Sequence, residues 1–143
     1  MKVIQIMDNF IVGGGVNSFV YDLCFALKAQ GCDVSLIGIL REGYDNNPVV
    51  EDLCKAGISV ICIGATSKKE AILRYIKKLK EKIVEISGGE PTVCNLHLKL
   101  SVLMGVLATR GLNNIKCIET YHSLYSKYWL QAKVLSPFIA MYI

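Results

Sequence analysis

Two kinds of residue in this 143-residue chain could do chemistry together: three consecutive glycines, Gly13, Gly14 and Gly15, and two histidines, His97 and His122. The glycines follow the apolar run "KVIQIM" (2–7), and a helical pattern begins within a turn of them. Without a Cβ, they can take positive φ and let the backbone approach a ligand. The helix behind them offers unpaired N–H groups and about half a positive charge, which suits a phosphate or another anionic group. A tight strand-to-helix turn with no ligand accounts equally well for a lone triple glycine. The histidines both fall at strand ends, His97 closing "TVCNLH" (92–97) and His122 following "CIETY" (117–121). One histidine by itself is more often structural; two of them converging with a glycine loop favour a site.

The elements that must bring these residues together are short β-branched runs alternating with helical patterns. Strands are expected at "KVIQIM" (2–7), "DVSLIGIL" (33–40), "ISVICIG" (58–64), "TVCNLH" (92–97) and "IKCIET" (115–120). Their continuous apolarity suits strands covered on both faces. The first helix is expected over Asn17–Gln30, with Phe19, Val20, Leu23, Cys24 and Leu27 at helical spacing and Gly31 as its stop. Pro48 opens a short helix that ends near Gly57. Ser67 caps a long one whose stripe is Ile72, Tyr75, Ile76, Leu79, Ile83 and Ile86, and another covers Ser101–Arg110. Five strands alternating with helices predict an α/β fold with a doubly wound parallel sheet, its first strand near the centre and its strand order 3-2-1-4-5. In such a sheet the ligand crevice lies beyond the carboxyl ends of the strands, where the glycine loop and both histidines fall. "IAMYI" (139–143) reads as the opening of a sixth strand, so the chain is expected to be a truncated piece of a longer one.

Several functions are disfavoured. After Gly13 and Gly15 the next position in phase for a dinucleotide fingerprint is Ser18, and Glu42, near the place of a ribose-binding acid, stands beside Arg41, so nicotinamide binding is a secondary alternative. No "GK[ST]" follows the glycines, which removes a P-loop. The net charge of +4 is modest and scattered, and nucleic acid is not an expected partner. Its densest part is Lys68–Lys82. Six cysteines are spaced too widely for a metal knuckle, and most fall in apolar runs; they read as reduced core thiols of a cytoplasmic protein. The N-terminal stretch, broken by Gln5 and Asp8, is too short and polar for a signal peptide.

Taken together, these residues resemble the N-terminal, Rossmann-like domain of a GT-B glycosyltransferase, in particular the retaining glycosyltransferase family 4. "GGGVNSFVYDLCFALKAQGCDVSLIGI" (13–39) is similar to the family's glycine loop, first helix and second strand. "CNLHLKLSVLMGVLATRG" (94–111) and "IKCIETYHSLY" (115–125) resemble its histidine-bearing fourth and fifth strands. The resemblance implies transfer of a sugar from a nucleotide-sugar donor to a glycan or lipid-linked acceptor with retention of configuration and with no metal or other cofactor. It implies that Gly14 and Gly15 approach the donor phosphates and that His122 contacts the transferred sugar. It assigns His97 to the crevice wall or acceptor. Asn17 stands where many relatives carry glutamate, on the acceptor or crevice side. Residues 1–143 would be the acceptor-side domain, with a donor-binding C-terminal domain missing and the chain inactive alone. A solvated helix face is the plain reading of the Lys68–Lys82 surplus; the family's lipid-linked acceptors add peripheral contact with an anionic membrane, at its inner face. The rival from another class is a noncatalytic α/β module that binds a small anion or a partner protein.

Overall fold

A computed structural model of the chain describes residues 1–122. Strands β1 (Lys2–Met7), β2 (Asp33–Leu40), β3 (Ser59–Ala65), β4 (Thr92–His97) and β5 (Ile115–Thr120) form one parallel sheet in the order β3-β2-β1-β4-β5. This is the predicted doubly wound topology, with β1 at the centre. Helices α1 (Gly15–Ala29), α2 (Pro48–Lys55), α3 (Lys68–Arg74), α4 (Ile76–Ser87) and α5 (Lys99–Thr109) provide the crossovers that parallel neighbours require. The sixth strand expected at 139–143 lies outside the described residues.

Alternation along each strand divides the core in two. One half packs Val20, Tyr21 and Cys24 of α1 and Val50 and Leu53 of α2 onto Met7, Val34 and Leu36. On the opposite face Ile4, Ile6, Ile37, Ile39 and Leu96 meet Ala71, Leu79, Ile83, Leu100, Met104 and Ala108 from α3, α4 and α5. Asn47 caps α2, its side-chain oxygen accepting from the N–H groups of Val49 and Val50, and Pro48 follows at the first helical position.

Two expectations need correction. The long helix from Ser67 is divided at Tyr75, where α3 ends and α4 begins. The bend has a packing cause: α3 lies against β2 and β3, whereas α4 runs alongside α5, and one straight helix would not follow both surfaces. Ile72, expected in the buried stripe, is consequently exposed, and Ala71 takes its place in the core. Nor are all the cysteines core residues: Cys24 and Cys94 are buried, Cys32, Cys62 and Cys117 are half-buried against the core, and Cys54 is exposed. All six are free thiols.

The basic surplus of α4 is partly engaged within the protein. Lys78 Nζ donates to the Ile63 carbonyl (2.7 Å), Lys80 Nζ to that of Arg110 (2.9 Å) and Lys82 Nζ to Glu85 (2.7 Å), while Lys77 lies 3.9 Å from Glu81. Among the described residues, no helix is long and apolar enough to cross a membrane.

Candidate functional site

The chain leaves β1 through Asp8–Gly14, and this loop is built on a packed floor. Phe10 is fully buried, and its ring fills the space over Gly38 of β2, where any Cβ would overlap it. The Phe10 carbonyl accepts from both Tyr21 Oη (2.9 Å) and Asn47 Nδ2 (2.8 Å), and its N–H donates to the Glu42 carbonyl (2.9 Å). Burial pushes the Tyr21 phenol up to about 12, which keeps it a donor. Asn17, buried in the first turn of α1, braces the loop from the other side: its Nδ2 donates to Asn9 Oδ1 (2.9 Å) and to the Ile11 carbonyl (2.8 Å). Glu42, the acid weighed for a ribose, accepts from Asn9 Nδ2 at 3.4 Å and so joins the loop after β2 to the glycine loop.

Above this floor the glycines are open. Gly13 has φ +89°, a conformation that demands glycine. Gly14 does not: as the N-cap of α1 it has φ −80° and ψ 132°, which any residue adopts. Among the described residues, and apart from the glycines' own chain neighbours and helix backbone, no atom lies within 4 Å of a Cβ built on Gly14 or Gly15. Among the described residues no side chain caps the helix, and its first-turn N–H groups have no intrahelical partner.

The histidines meet. His97 is fully buried at the end of β4, with Nε2 2.6 Å from Gln5 Oε1 and Nδ1 2.9 Å from His122 Nε2. His122 is half-buried just beyond β5. The edge of the Phe19 ring, one turn along α1 from Gly15, packs against it with centroids 5.3 Å apart. Phe19 thus connects the histidine pair to the helix that begins at the glycines. Burial, reinforced by His122, drives His97 down to about 4, and burial also lowers His122. Both are neutral at physiological pH, so the pair offers hydrogen bonds rather than charge.

Between β4 and α5, Leu98 has φ 72° and ψ 167°, a region left almost entirely to glycine. It contributes no side-chain cap to α5. Asp8, buried at the end of β1, fills that role, its Oδ1 accepting from the Ser101 N–H at 2.8 Å. Burial raises the Asp8 carboxyl, and the bonds from Ser101, the nearby Lys68 ammonium and the Leu100 N–H pull against that rise. The Ser101 hydroxyl bonds back to the His97 carbonyl, so the helix start and the histidine are tied together.

Gly14, Gly15, Asn17, His97 and His122 therefore all fall at the carboxyl edge of the sheet, as expected. Gln5, Asp8 and Asn95 belong to the same assembly but were not anticipated. The sequence carried one hint, the alternation of Asn95 and His97 in an apolar run; that Gln5 stands opposite Asn95 emerges only from the β1–β4 register. A cavity of about 290 Å³ between α5 and β5 shares no residue with this assembly.

A model of Glycosyltransferase Family 4 matches residues 13–142, from the first of the clustered glycines through both histidines. The chain belongs to glycosyltransferase family 4. Neither the curated proteins nor the solved structures gave a match. Membership carries a general transferase role, with a sugar donor and an acceptor as partners.

Proposed function

We propose that this chain is the acceptor-side domain of a retaining glycosyltransferase, which moves a sugar from a nucleotide-sugar to a glycan or lipid-linked acceptor and relies on a second domain for most nucleotide contacts. The observation that carries this reading is the empty space over Gly14 and Gly15. Neither backbone conformation nor packing among the described residues explains two glycines there, whereas a diphosphate approaching the uncapped start of α1 would. The first-turn N–H groups would stabilise the charge that develops on the leaving diphosphate. His122, neutral and held by His97 and Phe19, would contact the transferred sugar, and its contribution is positioning through a hydrogen bond. His97 stands behind it as part of the crevice wall. Asn17 supports the loop that carries the glycines.

The test is made on the full-length gene product with a panel of nucleotide-sugar donors. Replacement of Gly15 by valine is expected to lower kcat/KM by at least about 100-fold, which is about 2.7 kcal/mol of transition-state stabilisation, with little change in Tm. His122→Ala is expected to reduce kcat with KM little changed. Unchanged kinetics in both variants would sink the proposal. The 143-residue chain alone is expected to transfer no sugar; donor binding at micromolar Kd or tighter, about −8 kcal/mol, would contradict the division between domains.

A further inference from the structure

Polar side chains are unusual in strands covered on both faces, because each buried group must find a partner. Here they form one directional chain. Thr120 Oγ1 donates to Asn95 Oδ1 (2.8 Å), and Asn95 Nδ2 donates to Gln5 Oε1 (3.0 Å). His97 Nε2 reaches the same Gln5 oxygen, and His97 Nδ1 faces His122 Nε2. An amide oxygen only accepts, so His97 carries its proton on Nε2. A neutral imidazole has a single N–H, which leaves a lone pair on His97 Nδ1 and makes His122 Nε2 the donor to it. The second nitrogen of His122, Nδ1, is then without a proton.

We propose that Gln5 and His97 are positioning residues that hold His122 in its Nε2–H tautomer, so that His122 Nδ1 meets the substrate as a hydrogen-bond acceptor from a sugar hydroxyl. The contact with the hydroxyl rests on the function proposed above; the tautomer does not. Protonation of His97 would set an N–H against the N–H of His122, and its burial resists that state. The edge contact with Phe19 restrains the ring from a second side. A group that only accepts discriminates among substrates: it takes a hydroxyl and rejects an analogue with fluorine or hydrogen in its place.

The chain has two imidazoles, so the experiment is direct. Long-range proton–nitrogen correlation spectra of the 15N-labelled protein at about pH 8, above the usual imidazole range, are expected to show Nε2–H for both rings, with His122→Ala providing the assignment. Gln5→Met keeps the volume and removes the acceptor; His122 is expected to become a mixture of tautomers. Gln5→Glu restores an acceptor oxygen and should return His122 to Nε2–H. A proton on Nδ1 of either ring in the unaltered protein would overturn the proposal, and this holds even if Gln5→Met fails to fold. So would a folded Gln5→Met whose tautomers match those of the unaltered protein. If the tautomers are as stated but His122→Ala leaves kcat of the full-length enzyme unchanged, the sugar contact is overturned and the tautomer lock stands.

Discussion

The two strand-to-helix junctions at the site treat their helix starts in opposite ways. At α1 the N-cap is glycine and, among the described residues, no side chain caps the first-turn N–H groups and the space over Gly14 and Gly15 is open. At α5 the N-cap Leu98 also lacks a capping side chain, but Asp8 reaches across from β1 and accepts from Ser101 within a buried setting. Both helix ends carry a partial positive charge. One is met by the protein's own carboxyl group, and the other has no such side-chain partner among the described residues. The closed junction carries the backbone strain and the buried imidazole, while the open one is nearly strain-free beyond Gly13. Rigidity at one junction and open space at the other suit the proposed site, which would be held in shape before a ligand binds.

The closed junction should be the sensitive one. His97 has a folded pKa of about 4 against an ordinary 6.5. Between those values the unfolded chain binds a proton that the folded chain refuses, so stability is complete above about pH 6.5 and falls as the pH drops toward 4. The loss should be on the order of 3 kcal/mol. It is read as the difference in urea-unfolding free energy between the unaltered protein and His97→Gln across that range, and parallel pH profiles would refute it. Asp8→Ala removes the cap of α5 and should cost about 1.5 kcal/mol, the lost bond being offset in part by relief of a buried carboxylate. Asp8→Asn keeps an acceptor oxygen and should recover most of that loss; equal losses would mean that charge, not the bond, matters. Leu98→Gly should raise stability by less than about 1 kcal/mol, since relief of strain outweighs the loss of a half-buried side chain.

The open junction was legible in the sequence and the closed one largely was not. Continuous apolar runs, Gly31 and Pro48 mark local events, and local events are what a pattern of residues encodes; strand order followed from them through the handedness of crossovers. Gln5 and Asp8, by contrast, read only as polar interruptions of an apolar start. Their partners are Asn95, His97 and Ser101, roughly ninety residues away, and such pairings depend on a register that no local pattern contains. Period-two alternation of Asn95 and His97 was the available hint. The bend at Tyr75 had none, because no proline or glycine causes it and the two packing surfaces of α3 and α4 do. Leu98 likewise carries no mark of its positive φ, which the tie between Ser101 and His97 and the cap from Asp8 impose.

The smallest stability effects are expected at Gly14 and Gly15, and they sharpen the contrast most. Gly14 already has the backbone of an ordinary N-cap, where glycine is better than alanine, so Gly14→Ala should cost about 0.5 kcal/mol. Gly15 opens the helix proper, where alanine is the better helix former, and Gly15→Ala should gain about 0.5 kcal/mol. The double variant should therefore unfold within a few tenths of a kcal/mol of the unaltered protein, as estimated from those propensities. Gly13→Ala serves as the control: at φ +89° an added Cβ is strained, and a loss of about 1–2 kcal/mol is expected. If the room over Gly14 and Gly15 exists for a diphosphate, the double variant of the full-length enzyme should bind its donor at least about tenfold more weakly, or about 1.4 kcal/mol, at unchanged Tm. A double variant that unfolds early would show that the protein itself needs those glycines. One that is stable and binds donor normally would return the triple glycine to a plain strand-to-helix turn.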